Sequence, residues 1–579
     1  MSNDLDHLLH PSALYRDFLA SPERVRGFYP VDYRDARALA AHGAARPYPP
    51  ERRAAMAAIL RRQAEAWGIG DASRDAVARF ERVGTLVVVA GQQPGLFGGP
   101  LYSLYKAFTA SALARAVEAA SGTPVVPIYW IASDDHDFEE VHRAWLSDGG
   151  AGPELLEFPM DAAPAGVSVD RIRLGDEMDS LHARVASLLP PSEFRADVLA
   201  RLRDAYAPGR GFAEAFARWM GSLLAGRGLL LFDPADAEAK RLTLPIFERE
   251  IEHAGATSLA AHERGDALAA AGYHAQITRA GNELNLFWHG RRREALRIVD
   301  GRFESAEGTH AWAPKELLAA VRAHPENASP GVLLRPITQD HLLPTAAYVG
   351  GPAEVAYWAQ IHAIYPLFEM MPPAITPRAG ATLLEGKIGK TLDRFGIAWS
   401  SLAGDAEPVV TETLRRLLPG DFAARFDRER TQWEASFARL EEAVTAFDPS
   451  LRSAVHTSAG RVQHEGRELE KKLMHVWKRR QDETVQKIRR AAGHLFPHGG
   501  LQERTMSIVG YHARYGPDFL DTIEGALTTP GAHALVPLSA PAAGAGMTET
   551  KPAGEAIARP ASPGAPAPAP APSAPERPR

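Results

Sequence analysis

Two short stretches concentrate side chains able to do chemistry. The first is Ser133-Asp134-Asp135-His136-Asp137-Phe138-Glu139-Glu140, with five carboxylates and one histidine in eight residues. Such a cluster can orient an amine, hold Mg2+ through water, or act as a general base. An acidic N-cap and first helical turn would account for some of these residues, though not all. His136 and His142 do not stand at a standard zinc spacing, so no metal site is expected among them. Asp134, Asp135, His136 and Asp137 are the catalytic candidates. The second stretch is Gly91-Gln92-Gln93-Pro94-Gly95-Leu96-Phe97-Gly98-Gly99-Pro100. Glycines let backbone N–H groups approach an anion, and a helix N-terminus behind them adds partial positive charge. The pattern is neither a P-loop nor GxGxxG. Gly91, Gly95, Gly98 and Gly99, with Lys106 beyond them, are candidates for nucleotide phosphates; a tight turn needing glycine geometry is the alternative.

Further polar groups stand beside predicted strand ends or Gly/Pro turns. Gln92, Gln93, Tyr102, Asn282, Gln339, Glu354 and Arg378 are the substrate-binding candidates. Each of the later four is weak alone, because turn chemistry selects the same residue types. Together they suggest one pocket.

The elements that would position these groups follow from apolar patterning. Thr85–Ala90 and Pro124–Ala132 are short, continuous apolar runs, the signature of strands buried on both faces. Between them Leu101–Ala120 has helical spacing. A strand–loop–helix–strand unit of this kind builds a doubly wound parallel sheet. Gly228–Pro234 is a further strand, followed by a helix from about 235 to 253, and Thr345–Gly351 is a later one. Residues 284–289 and 296–300 suggest an antiparallel pair around Gly290-Arg291-Arg292-Arg293.

From Phe422 to Leu495 the texture changes. Trp433, Phe437, Leu440, Val444, Phe447 and Leu451 follow the 4-3 spacing of a coiled-coil seam. After Asp448-Pro449-Ser450, Val455, Val462, Leu469, Leu473 and Val476 return in an approximate heptad. The expectation is an antiparallel helical hairpin roughly 60 Å long at 1.5 Å per residue, pairing with a second copy to make a homodimer. Ordinary helices packed on the core are the alternative. The expected fold class is α/β, a Rossmann-like parallel-sheet core with inserted connecting segments plus an α-helical antiparallel coiled-coil domain. The expected parts are 1–150 (first part of the core, with N-terminal helices), 151–215 (insert), 216–405 (rest of the core, with a second insert near 290–330), 406–498 (arm), 499–536 (return to the core) and 537–579 (a disordered Ala/Pro-rich tail). Pro497–Arg504 leads out of the arm and is expected to fix its base.

Composition narrows the class. The chain has 579 residues, 45% hydrophobic and 23% charged, with a net charge of −6. That balance fits a soluble protein and argues against nucleic acid as main partner. No apolar run is long enough to span a membrane, and the polar, acidic start does not resemble a secretory signal; a cytoplasmic location is the expectation. There is no cysteine, which excludes disulfides, thiolate metal sites and a catalytic thiol.

AGQQPGLFGGPLYSLYKAFTA, PVVPIYWIASDDHDFEEV, ITPRAGATLLE, PHGGLQER and YGPDFL occur in that order. They resemble the bacillithiol-biosynthesis cysteine-adding enzymes, or cysteine ligases, and the resemblance runs to about residue 530. It implies a Rossmann-like core, a dimerising coiled coil, a nucleotide site, and addition of L-cysteine to glucosaminyl-malate; activation of a carboxyl for that step points to ATP or ADP as the nucleotide, with Mg2+ as an optional companion. On that footing Asp134, Asp135 or Asp137 would hold an ammonium group, His136 would accept the amine's proton, and Arg378 or Lys106 would pair with malate carboxylates. Without thiolates, selection of cysteine is expected to use no zinc. A different ATP-dependent ligase or nucleotidyl transferase on the same core, and a non-catalytic nucleotide-binding scaffold, are the rival readings.

Overall fold

The computed structural model describes residues 3–147, 152–278 and 282–539. The core elements, in chain order, are β1 (Leu86–Gln92), α1 (Leu101–Ser121), β2 (Val125–Ile131), β3 (Leu230–Phe232), α2 (Ala237–Leu242), β4 (Thr345–Gly350), α3 (Pro352–Ile361) and β5 (Ala374–Pro377). The five strands form one parallel sheet in the order β5-β4-β1-β2-β3. The chain moves outward from β1 to β3, then returns to the other side of β1 as β4. This reversal opens a crevice at the C-terminal ends of β1 and β4, where ligands of open parallel sheets bind.

The continuous apolar runs are explained by burial on two faces. Val88 and Ala90 of β1 point into one core with Tyr129 and Ile131 of β2. Val87 and Val89 point into the other, with Ile128 and Trp130. The helix expected over 235–253 is two helices, α2 and Leu244–Glu252, meeting at Thr243. Pro245 sits in the first turn of the second, where its missing N–H costs nothing. The antiparallel pair expected near 284–300 is formed by Glu283–His289 and Arg293–Val299 within a second, five-stranded sheet.

Beyond the core, β6 (Gly380–Glu385) leads to the arm, α4 (Phe422–Phe447) and α5 (Arg452–Arg480). Gln481 leaves helical geometry at φ −105°, ψ 28°. The hairpin is therefore shorter than expected: the 29 residues of α5 give roughly 44 Å at 1.5 Å per residue. Trp433 fits against Gly466, where a Cβ would lie 2.3 Å from the indole. Leu440, Phe447 and Leu469 are exposed, so the 4-3 stripe is not wholly turned toward the partner helix within one chain.

The helix α6 (Asp482–Leu495) returns to the core, and β7 (His533–Leu538) pairs in parallel with β6. Pro537 and Leu538 thus belong to a strand rather than to the tail; the tail from 540 onward lies outside the described residues. Between them, Gln502 bonds both the N–H and the C=O of Leu383 and the C=O of His494, at 2.7, 3.1 and 2.7 Å. The Pro497–Arg504 segment thereby ties the end of the arm to the core. No helix among the described residues is long and apolar enough to cross a membrane.

Candidate functional site

The crevice at the sheet reversal is a cavity of about 720 Å3. Gln92, Gln93, Tyr102, Asp134, Asp135, His136, Glu354 and Arg378 all line it, as do Gly91 and Lys106. Strand ends deliver most of them: β1 carries Gly91 and Gln92, the loop after β2 carries Asp134 to His136, and β5 leads into Arg378.

The amides and carboxylates interlock. Gln93 Nε2 donates to Asp135 Oδ2 at 2.6 Å, and Gln92 Nε2 reaches Tyr102 Oη at 3.3 Å. Asp135 also accepts the His136 backbone N–H at 2.8 Å and lies 3.6 Å from Arg293. Burial opposes its charge, but the bonds from His136 and Gln93 and the Arg293 guanidinium outweigh it and hold the carboxyl well below the usual range. Asp134 is gripped by the buried Lys240 ammonium through both oxygens, at 2.8 and 2.7 Å.

Lys106 does not stand free to meet a phosphate. Its ammonium donates to Gly91 O at 2.7 Å and Gln92 Oε1 at 2.8 Å and is ion-paired with Glu354. Those three partners match its three N–H donors. Glu354 in turn accepts from Tyr348 Oη at 2.6 Å and from the Gly351 N–H at 2.8 Å. Burial pushes against its ionisation, and Lys106 with these bonds keeps it below the ordinary range.

The glycine loop does not form a phosphate cradle. Gly98 N–H bonds Gly95 O and Tyr206 Oη, both at 3.1 Å, and Gly99 N–H bonds Leu96 O at 3.0 Å. Leu101 N–H bonds Met506 O at 2.8 Å. The N–H groups of Gly98, Gly99 and Leu101 are thus already used. Gly98 has φ +91°, and a Cβ there would meet the Trp219 ring at 3.0 Å. Gly95, Gly98 and Gly99 therefore serve the turn, and of the four glycines only Gly91 lines the cavity.

Three other candidates lie outside it. Asp137 is exposed at the start of the short helix Phe138–Val141. Asn282 is exposed, and its carbonyl pairs with the Ile298 N–H at 2.7 Å. Gln339 is buried behind the wall, where its Oε1 accepts from Arg335 at 3.4 Å.

Residues not selected from the sequence complete the site. Arg293, from the basic turn of the inserted hairpin, reaches His136. Arg335 lines the cavity, held by Gln339 and by Tyr357 Oη at 3.4 Å, with no carboxylate at ion-pair distance among the described residues. Arg504 lines it too, exposed, whereas Arg378 is paired with the buried Glu503. Glu140 lines it with no cationic side chain at ion-pair distance among the described residues. A basic turn and a late Arg in a Gln-Glu-Arg run carry no local signal of convergence; only the sheet order brings them together.

Behind Asp134 lies a second acidic layer. Asp233 is half-buried, accepts the Ser133 hydroxyl and the Ala235 N–H, and has its pKa pushed up to about 7, mainly by burial. A carboxyl with a raised pKa binds its proton more tightly when folded, so stability falls as pH rises from the unfolded value of about 4 to about 7. Asp233→Asn is expected to flatten that fall. Its Tm should drop less than wild type between pH 5 and 8, and equal drops would refute the assignment.

The sheet, its switch-point cavity and the appended helical hairpin define a Rossmann-like α/β protein with a coiled-coil arm. Residues 2–379 match the family described as "Bacillithiol biosynthesis BshC, N-terminal Rossmann-like domain", and 381–536 its "C-terminal coiled-coil domain". Three curated relatives carry the name "Putative cysteine ligase BshC". The one from Salinibacter ruber is 36% identical over 529 residues, covering 90% of this chain and 96% of the relative. Those from Koribacter versatilis and Geobacillus kaustophilus are 33% and 31% identical, covering 91% and 77% of this chain and 97% and 83% of their own. The chain belongs to the BshC family of bacillithiol biosynthesis.

Proposed function

We propose that this chain is a cysteine ligase that joins the carboxyl of L-cysteine to the amine of glucosaminyl-malate, with the carboxyl activated by ATP in the presence of Mg2+. The observation that carries this reading is the charge division of the cavity. Arg335 and Arg504 offer cations, and Glu140 a carboxylate, none of which has an oppositely charged side chain at ion-pair distance among the described residues. An acceptor bearing malate carboxylates and an amine complements that division. The names of the relatives supply the cysteine.

The paired cations change the roles expected from sequence. Arg378 and Lys106 hold Glu503 and Glu354, so the malate carboxylates fall to Arg335 and Arg504. The glycine loop does not fit the phosphates, and no step is assigned to it. Among the described residues no group of three or more His, Asp or Glu is placed to hold a metal, so Mg2+ would enter with the nucleotide.

Arg335→Met should raise KM for glucosaminyl-malate about 10- to 100-fold, the loss of a charge-assisted bond worth roughly 1.5–3 kcal/mol. KM for cysteine should hold steady; an equal rise in both would count against the assignment. The function itself is tested by mass spectrometry after incubation with both substrates. Bacillithiol is expected with ATP and Mg2+ and absent without ATP. Product with other amines, but none with glucosaminyl-malate, would favour a different ligase.

The arm is proposed to make a homodimer, supported by the exposure of Leu440, Phe447 and Leu469. Sedimentation velocity should give twice the chain mass; a monomer at micromolar concentration would contradict it.

A further inference from the structure

An amine attacks a carboxyl carbon only through its lone pair, so an amide-forming site needs a group to take the ammonium proton. The cavity offers four carboxylates and one imidazole. Asp134 is held by Lys240, Asp135 by Arg293 and Gln93, and Glu354 by Lys106.

The imidazole is also committed. Arg293 Nη1 stands 2.9 Å from His136 Nδ1. The same Nδ1 lies 3.4 Å from Asp135 Oδ1, a longer contact; an arginine has no acceptor and keeps its proton, so at the shorter contact Arg293 donates and His136 Nδ1 supplies the lone pair. The proton of the neutral ring then sits on Nε2, which can donate but not accept. Arg293 is itself fixed: Nε donates to Ser329 Oγ and Nη2 to Pro330 O, both at 3.0 Å, and its Cζ lies 3.6 Å from the Phe287 ring centroid. The geometry sets His136 as a donor, contrary to the role expected from sequence.

We propose that Glu140 is the general base of the ligation. The inference rests on the amide-forming reading above. Glu140 takes one proton from the acceptor's ammonium group and becomes a neutral carboxyl. The freed lone pair forms the C–N bond at the activated cysteinyl carbon, and the C–O bond to the leaving phosphoryl or adenylyl oxygen breaks with its electron pair. The second proton passes from the nitrogen to the departing phosphate or AMP oxygen as the amide forms. Burial, and then the charges of Asp137 and Asp135, raise its pKa, the direction that favours proton acceptance.

The test compares wild type, Glu140→Gln, and Glu139→Gln as an exposed neighbour that does not line the cavity, all checked for equal Tm. Glu140→Gln should lose on the order of 100-fold in kcat, with KM for cysteine nearly unchanged. It should also lose the acidic limb of the kcat profile, and formate should restore part of the rate to Glu140→Ala. Glu139→Gln should match wild type. If wild type makes bacillithiol and Glu140→Gln keeps kcat within about threefold, Glu140 is not the base and the ligase reading stands. If wild type makes none under any condition, both fall.

Discussion

Lys106→Met is expected to destabilise the core by about 3–5 kcal/mol, the usual cost of removing one partner from a buried ion pair. Lys106 is 2% exposed. Its loss leaves the Glu354 carboxylate with only the Tyr348 hydroxyl and the Gly351 N–H, and leaves Gly91 O and Gln92 Oε1 short of a donor. The effect should depend on pH in a defined sense. The pair holds Glu354 below the ordinary range, so its stabilisation is present above the unfolded pKa and is lost as pH falls through the folded one. In Lys106→Met the Glu354 pKa should rise, and the deficit against wild type should shrink on acidification below about pH 4. Urea midpoints of single and double variants check this. Lys106→Met combined with Glu354→Gln should regain more than half of the loss, because Gln keeps the acceptor without the stranded charge. No recovery would mean that the pair is not the source.

Arg378→Met should cost a similar amount, about 3–5 kcal/mol, and should act on a different boundary. Arg378 is buried at the end of β5, where its Nη2 pairs with Glu503 and its Nη1 donates to Ala379 O at 3.2 Å. Glu503 also accepts the Ala381 N–H at 2.9 Å. The pair joins the sheet to the segment that brings Arg504 to the cavity. Its loss should loosen that segment, so hydrogen exchange should rise over residues 502–508 while β1 and β2 stay protected. Unchanged exchange over 502–508 would refute this coupling. Arg378→Lys should recover only part of the stability, since a point charge cannot repeat both bonds or lie against Tyr102.

Both variants show what could be seen in the sequence and what could not. The strands were legible because each buries two faces: Val87 to Ala90 and Val125 to Ile131 admit no polar position, so periodicity alone marks them. The position of the cavity was legible in half, because Gln92 and Asp134 to His136 follow two such strands. The other half depends on sheet order. Arg335 and Arg504 come from segments with no regular spacing relative to β1, and only the reversal from β3 to β4 sets them opposite the carboxylates. Partnership was not legible either. Lys106 is near the expected place, yet Glu354 occupies it from a helix that lies 248 residues later in the chain. A glycine run gives the same sequence signal whether its N–H groups are free or used, and the bonds to Tyr206, Leu96 and Met506 decide the matter. In the arm, the 4-3 stripe was legible but its occupancy was not, because Leu440 and Phe447 find no cover within one chain.

The proposed reaction forms an amide from a nucleotide-activated cysteine carboxyl. The most direct test uses L-cysteine labelled with 18O in both carboxyl oxygens, incubated with glucosaminyl-malate, ATP and Mg2+, and followed by mass spectrometry. Bacillithiol should retain one label in its amide, with the other recovered in phosphate or AMP. Bacillithiol formed without ATP, or formed with no label passing to phosphate or AMP, would contradict it.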